Sequence, residues 1–281
     1  MNIQQNHTQL LNIEHIIKAK NPRLYKLLPA FVIKYIKKTI HQDELNSFII
    51  QNFENNGIQF LKNSFLSFDI KSSVKNIENL PETGKIILIS NHPIGSFDGL
   101  HIIDILHTKY KKVKAVVNDL LLNIKNLNEF FVGVNKHGTT QREQVKLLNG
   151  IFSSDYPIFF FPSGLVSRKT KGKISDGDWK KTFISRAIKH ERNVVPIHIN
   201  GKLSKRFYRI ANLRKLLRIK SNLEMFYLVD ELFRQKGNTI IITIGKPISF
   251  QKFDSSKTHF EWAQEVKAHV YKLADDNTIE F

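Results

Sequence analysis

The chain has 281 residues, 41% of them hydrophobic, and a net charge of +18 from 43 Lys+Arg against 25 Asp+Glu. That length and apolar content predict a packed core, in one large domain or one domain with a helical appendage, and exclude a low-complexity chain. There is no cysteine, which excludes disulfides and thiolate chemistry and fits a reducing cytoplasm. The charge excess points to a polyanionic partner: nucleic acid, an anionic lipid surface or an acidic carrier protein. The opening MNIQQNHTQL lacks the apolar centre of a secretion signal, and no window reaches the ~18 apolar residues of a spanning helix. The expectation is a protein that neither leaves by that signal nor crosses a membrane.

Residues 11 to about 70 read as helical, ahead of a first strand at Ile86–Ile89. Asn21-Pro22 breaks one helix and Pro29 suits the first turn of the next. At 100° per residue, Leu24, Leu27, Leu28, Phe31, Val32, Tyr35 and Ile36 fall on one arc, with Arg23, Lys26, Lys34, Lys37 and Lys38 opposite. Ile33 interrupts the basic arc. Such a helix over 23–40 fits either a membrane interface or a packed helix with a solvated lysine face. A further helix begins near His41 and runs through Phe53, with a turn at Gly57.

The stretch KIILISNHPIGSFDGLHIIDIL, Lys85 to Leu106, joins a short β-branched run, a polar glycine turn and a helical apolar period. Ser96 and Asp98 are candidate N-caps for that helix. Loops that leave the carboxyl ends of strands in open α/β sheets are where ligands bind. This loop carries His92 and Asp98. An imidazole can take a proton from a hydroxyl near neutral pH, and a carboxylate on its other nitrogen fixes the tautomer and stabilises the imidazolium. The two are six positions apart, about 240° around one continuous helix. They can meet only through a turn, which Pro93 and Gly95 suit. The plainer alternative is a capping aspartate beside an ordinary loop histidine.

Farther on, 113–118 and 130–134 read as strands, followed by the loop Asn135-Lys136-His137-Gly138 and a helix from about Thr140 to Phe152. PIFFF at 157–161 reads as the next strand and ends in Pro162-Ser163-Gly164-Leu165-Val166-Ser167-Arg168-Lys169. Backbone N–H groups in such a glycine turn can bind an anion or oxyanion. A helix from Lys181 to His190 leads into strand 194–199, whose alternation places Val195, Ile197 and Ile199 on one face and Pro196 and His198 on the other. His198 reads as a core or site-wall residue. From Arg192 to Leu223 there is no acidic residue, while basic and apolar residues interleave over 202–220. That pattern suits anionic lipid, a carrier-protein face or nucleic acid. A helix near 223–234, a strand at 239–244 and a closing helix from about Thr258 to Ala274 complete the chain.

Asn91-His92-Pro93…Asp98-Gly99 resembles the signature of the glycerolipid (lysophospholipid) acyltransferase superfamily. Most members have four residues between histidine and aspartate; this chain has five. The longer form is similar to a bacterial branch that acylates lyso-ornithine or lyso-glycine lipids, often labelled glycerol acyltransferase or hemolysin. The resemblance extends to Pro247 and includes the superfamily's Phe-Pro-Glu-Gly-Thr-Arg-Ser block, with departures. Ser163 stands where most members have glutamate, and Leu165-Val166 where they have threonine-arginine.

The resemblance implies an α/β fold, a mixed, largely parallel sheet flanked by helices. An N-terminal helical segment over 1–75 would precede an acyltransferase domain over 76–281. It implies His92 as base and Asp98 as its orienting partner, with Asn91, Gly95, Lys136, Ser163, Gly164 and Arg168 at the substrate. Arg142 is a second choice to Lys136 for the headgroup cation. It implies no metal and no cofactor, an acyl-carrier protein or acyl-CoA donor, a lysolipid acceptor and a peripheral place on the cytoplasmic face of an anionic membrane. Partnership with nucleic acid is not expected. The alternatives are a 1-acylglycerol-3-phosphate acyltransferase and, from another class, a basic nucleic-acid-binding protein, which leaves the His–Asp loop unexplained. A serine hydrolase lacks its Gly-x-Ser-x-Gly, and a metal hydrolase on His92, Asp98 and His101 lacks His-Glu-x-x-His.

Overall fold

A computed structural model describes residues 10–117, 121–133, 141–219 and 222–281. The N-terminal part folds as α1 (Ile13–Lys20), α2 (Pro22–Leu27), α3 (Ala30–Thr39), α4 (Gln42–Gln51) and α5 (Gly57–Phe68). Gly57, expected to mark a turn, opens α5 with φ +54°. The single amphipathic helix expected over 23–40 is two helices, because Pro29 has no N–H and sits as the N-cap of α3. The break divides the apolar arc. Leu28 and Ile36 pack with Ile13, Ile17 and Ile40 against Phe226 and Val229, whereas Leu27 and Phe31 stay 78% and 74% exposed.

The strand expected first is the second in the chain. β1 (Lys71–Lys75) precedes it, and its sequence KSSVK has no apolar run because it is an exposed edge strand. Flanking lysines suit an edge that must not pair with another sheet. The rest of the chain is β2 (Ile86–Ser90), α6 (Ser96–Tyr110), β3 (Lys114–Val117), β4 (Phe131–Gly133), α7 (Gln141–Phe152), β5 (Ile158–Phe160) and the hairpin β6 (Arg168–Thr170) and β7 (Lys173–Ser175). It ends with α8 (Thr182–Lys189), β8 (Asn193–Asn200), α9 (Lys205–Leu216), α10 (Leu228–Arg234), β9 (Thr239–Ile244) and α11 (His259–Lys272). Leu223–Tyr227, expected to be part of a helix, is a 3-10 turn ahead of α10. The β6–β7 hairpin, read from the sequence as loop, was invisible to periodicity because its strands are three residues each.

The main sheet has the order β1-β9-β8-β2-β5-β3-β4, with every neighbouring pair parallel except β8 and β9. It is the mixed, largely parallel sheet expected. β2 lies near its middle and is buried along its whole length. Its alternation divides two cores. Ile86 and Leu88 join Ile102, Ile103, Leu106, Val195 and Phe207 on the α5, α6 and α9 face. Ile87 and Ile89 join Phe160, Trp179, Phe183, Val266 and Val270 on the α8 and α11 face. Parallel strands covered by helices on both sides read as continuous hydrophobic runs, as β2 does. The register Ile89↔Phe160 and Ile89↔Pro196 brings the carboxyl ends of β2, β5 and β8 to one edge.

Arg192, at the mouth of β8, is fully buried and clamps the opposite edge. Its guanidinium donates to the carbonyls of Phe152 (2.7 Å), Tyr156 (2.8 Å), Ile86 (3.1 Å) and Ser154. Burial lowers its pKa to about 10, so it is charged at neutral pH. An unpaired buried polar group costs about 1–3 kcal/mol. Arg192→Leu is therefore expected to destabilise the protein by roughly 3 kcal/mol or more in urea titrations, whereas the exposed Lys189→Leu should stay near wild type.

Candidate active site

The site is built at the end of β2. Ser90 and Asn91 close the strand, His92 and Pro93 leave it, and Gly95 takes φ 102° and ψ −132°, a backbone state that essentially only glycine adopts. That turn starts α6 at Ser96 and corrects the expected capping: Gly95 is the N-cap, and Asp98 lies one turn inside. The Asp98 carboxylate reaches back, and its Oδ2 accepts the N–H groups of Ile94 and Gly95, each at 3.0 Å. The same oxygen accepts the His92 Nδ1–H at 2.9 Å. The turn thus joins the two residues that a continuous helix would hold apart.

Asp98 is completely enclosed. Burial pushes its carboxyl above the ordinary carboxylate range, and the His92 ring and the two amides act in the opposite sense. Nδ1 being committed to Asp98, the acceptor lone pair of the neutral ring is on Nε2. The imidazole lies flat against Phe161 from the end of β5, with ring centroids 3.7 Å apart and an interplanar angle of 14°. Phe161 therefore fixes the plane and Asp98 the rotation about it.

The backbone of His92 is held as well. Its N–H donates to Asp176 Oδ1 at 3.3 Å, and its carbonyl accepts the Ser167 N–H at 2.7 Å. Ser167 Oγ donates to the same Asp176 oxygen at 2.6 Å, and Trp179 Nε1 donates to the other at 2.9 Å. The Asp176 N–H donates to the Tyr271 hydroxyl at 2.7 Å. Sequence reasoning missed Asp176 and Ser167 as site residues. The available signal was a carboxylate in the Asp176–Trp179 loop, but nothing in the sequence says that it is buried.

Other expected residues sit differently. The Asn91 side chain, expected at substrate, instead ties β2 to β8: Nδ2 donates to the Ile199 carbonyl (2.8 Å) and Oδ1 accepts its N–H (2.7 Å). Ser163 Oγ donates to the Leu165 carbonyl at 2.7 Å. Gly164, at φ +68°, directs its N–H to the Phe161 carbonyl (3.1 Å), so that amide closes the turn and is not aimed at an anion. Arg168 is bound within the protein: Nη2 contacts the buried Glu224 at 2.8 Å, Nη1 donates to the Val166 carbonyl at 2.6 Å, and the guanidinium lies over Phe207. The second Glu224 oxygen pairs with Arg214 at 2.8 Å. Glu224 is the acid that ends the acid-free run 192–223, a visible but unread signal. Lys136 lies outside the described residues, as does the side chain of Arg142.

His198 is buried in the α11 face beside Tyr271, and burial lowers its pKa to about 4, so it is a neutral wall residue. His101, weighed as a third metal ligand, is stacked on Phe65 of α5 at 4.1 Å and is not drawn to the His92–Asp98 pair.

A family model described as Acyltransferase matches residues 15–279. The chain is 44% identical over 265 residues to a lyso-glycine lipid O-acyltransferase of Bacteroides thetaiotaomicron, covering 94% of this chain and 97% of that protein. It is equally similar, over 94% and 95%, to a lyso-glycine lipid O-acyltransferase of Phocaeicola vulgatus. The crystal structure of a 1-acyl-sn-glycerophosphate acyltransferase from Thermotoga maritima aligns over 93% of each chain, with 17% identity and a TM-score of 0.45.

Asp176→Ala removes acceptors from Ser167, Trp179 and the His92 amide together. The expected result is a loss of roughly 3 kcal/mol in stability and, at temperatures where the variant remains folded, a fall in kcat larger than any rise in KM. Denaturation midpoints and steady-state kinetics measure the two effects.

Proposed function

Since the chain belongs to the acyltransferase family and is an acyltransferase, we propose that it moves a fatty acyl group from a thioester to the hydroxyl of a lyso-aminolipid, specifically a lyso-glycine lipid. The observation that carries the acceptor is 44% identity over 94% of the chain to two enzymes of that description. The lengthened His92–Asp98 turn and the uncharged Ser163 and Val166 support an acceptor pocket unlike that for glycerol phosphate.

In this reading His92 Nε2 removes the proton of the acceptor hydroxyl as its oxygen attacks the thioester carbonyl. Asp98 holds Nδ1–H and stabilises the imidazolium. The tetrahedral intermediate collapses with cleavage of the C–S bond, and the imidazolium proton passes to the departing thiolate. The new ester and a free thiol account for all atoms. Transfer is direct, in keeping with a chain without cysteine. The thiol belongs to acyl-carrier protein or CoA. Gly95 shapes the turn, and Ser163 and Gly164 form the wall next to Phe161.

The proposed location is peripheral, on the cytoplasmic face of an anionic membrane. Among the described residues, no helix is long and apolar enough to cross a membrane. On α9 and just beyond it, Leu213, Leu216, Leu217 and Ile219 are exposed among the exposed Lys205, Arg209, Lys215 and Arg218. The Arg206 guanidinium donates to the Tyr35 hydroxyl (2.9 Å), which shares a 2.8 Å hydrogen bond with Tyr227. These contacts tie α9 to α3, which carries the exposed Phe31. Apolar side chains rimmed by cations suit the interface of anionic lipid.

Purified protein assayed side by side on N-(3-hydroxyacyl)glycine and lysophosphatidic acid is expected to show the higher kcat/KM on the first. The opposite order would return the protein to phospholipid synthesis. His92→Ala should lower kcat by roughly 10²–10⁴-fold while the protein stays folded, and substantial activity in the folded variant would refute the mechanism. Leu216→Asp with Leu217→Asp should weaken binding to phosphatidylglycerol vesicles at least about tenfold, since each buried leucine contributes about 1.5–3 kcal/mol. Vesicle affinity unchanged in that double variant would remove α9 as the anchor.

A further inference from the structure

Lys136 lies outside the described residues, and among the described ones the cations expected near the acceptor leave a gap. Val166 is apolar where the resembled block carries arginine, and Arg168 is paired with Glu224. An anionic headgroup still needs a partner beside His92. The loop that crosses the site begins at Phe161, which stacks on the His92 ring, and ends at Ser167, which donates to the His92 carbonyl. Gly164 is its midpoint, and the Phe161–Gly164 turn keeps those two Cα atoms within about 7 Å.

Over that midpoint lies an amine. A Cβ placed on Gly164 would stand 3.2 Å from Lys180 Nζ and 3.7 Å from its Cε. The Lys180 amide donates to the Pro162 carbonyl at 3.0 Å. The preceding Trp179 is fully buried, held by Asp176 through its indole and by Gln264, which accepts its N–H (3.2 Å) and donates to its carbonyl (2.8 Å). The base of Lys180 is thus fixed by the same carboxylate that holds the His92 amide. Among the described residues, no carboxylate lies within ion-pairing distance of its ammonium, and the side chain is exposed to an incoming ligand.

We infer that Lys180 binds the carboxylate of the acceptor above the Gly164 turn and so selects an amino-acid headgroup. The assignment rests on the proposed lyso-glycine acceptor. In an N-(3-hydroxyacyl)glycine the reacting hydroxyl and the carboxylate are six bonds apart, a reach of about 7 Å. Lys180 overhangs the middle of the loop whose first residue stacks on the His92 ring and whose last donates to the His92 carbonyl, so base and cation border one loop. An ammonium is a compact point charge that meets a carboxylate without the fork geometry an arginine imposes on a phosphate. Glycine at 164 leaves the room: any side chain there would press on the amine, and φ +68° disfavours one.

The test compares wild type, Lys180→Gln and Lys180→Arg on N-(3-hydroxyacyl)glycine and on its methyl ester, which keeps the hydroxyl and loses the charge. Lys180→Gln should raise KM for the acid about tenfold, the scale of one charged hydrogen bond, with kcat and melting temperature little changed. On the ester, wild type and Lys180→Gln should have the same KM, and Lys180→Arg should recover much of the affinity for the acid. An equal rise on acid and ester, or a rise only in KM for the thioester donor, would overturn the assignment. So would an unchanged KM for the acid in an otherwise active Lys180→Gln. Wild type that prefers lysophosphatidic acid would instead overturn the acceptor itself, and this assignment with it.

Discussion

Oδ2 of Asp98 accepts three N–H groups: the His92 ring, and the amides of Ile94 and Gly95. The site depends on this one oxygen. A carboxylate taken out of water is costly unless donors replace the lost hydration. Here three donors serve Oδ2, while Oδ1 is buried with no hydrogen-bond partner among the described residues, and burial raises the carboxyl above its ordinary range. Its place in the first turn of α6 adds the favourable field of a helix N-terminus. The atom that orients the His92 imidazole is therefore also the atom that ends the turn and starts the helix. Folding of α6 and alignment of the imidazole are one event, and the buried pair cannot relax without unwinding the helix start.

Asp176 does for the backbone of His92 what Asp98 does for the ring. Its oxygens hold Ser167, the His92 amide and the Trp179 indole, so the loops from β2 and β5 are joined side to side. Their adjacency follows from the parallel register of β2 and β5, and Phe161, one residue past β5, reaches the imidazole because of it. General-base catalysis gains from such confinement, because a proton transfer is efficient only when donor and acceptor stay within hydrogen-bonding distance.

Charge is distributed unevenly around this frame. Glu224 is completely buried between Arg168 and Arg214 and links the β6–β7 hairpin to α9. Removing one partner of a buried pair leaves an uncompensated charge, so the trio acts as a brace between the site loop and the basic helix. The remaining positive charge of α9 faces outward with its leucines. A helix braced on one side and apolar on the other is the surface on which the proposed membrane attachment rests.

The sequence by itself determined the strands β2, β5 and β8, because strands buried on both faces are written as largely aliphatic and aromatic runs, interrupted in β8 only by Pro196 and His198. It also showed that His92 and Asp98 could meet, because Pro93 and Gly95 between them suit a turn, but the structure decided that they do. β1 was illegible, since an edge strand such as KSSVK buries too little to need an apolar pattern. The partners of Asn91, Arg168 and Asp176 were equally hidden. Each is a polar residue in a loop, where local sequence cannot say whether it faces water or an element many residues away. Only the tertiary structure decided that Asn91 ties two strands, that Arg168 belongs to Glu224, and that Asp176 holds the His92 loop. The reason is that burial, which forces a polar group to find a partner, is a property of the packed chain and not of its neighbours in sequence.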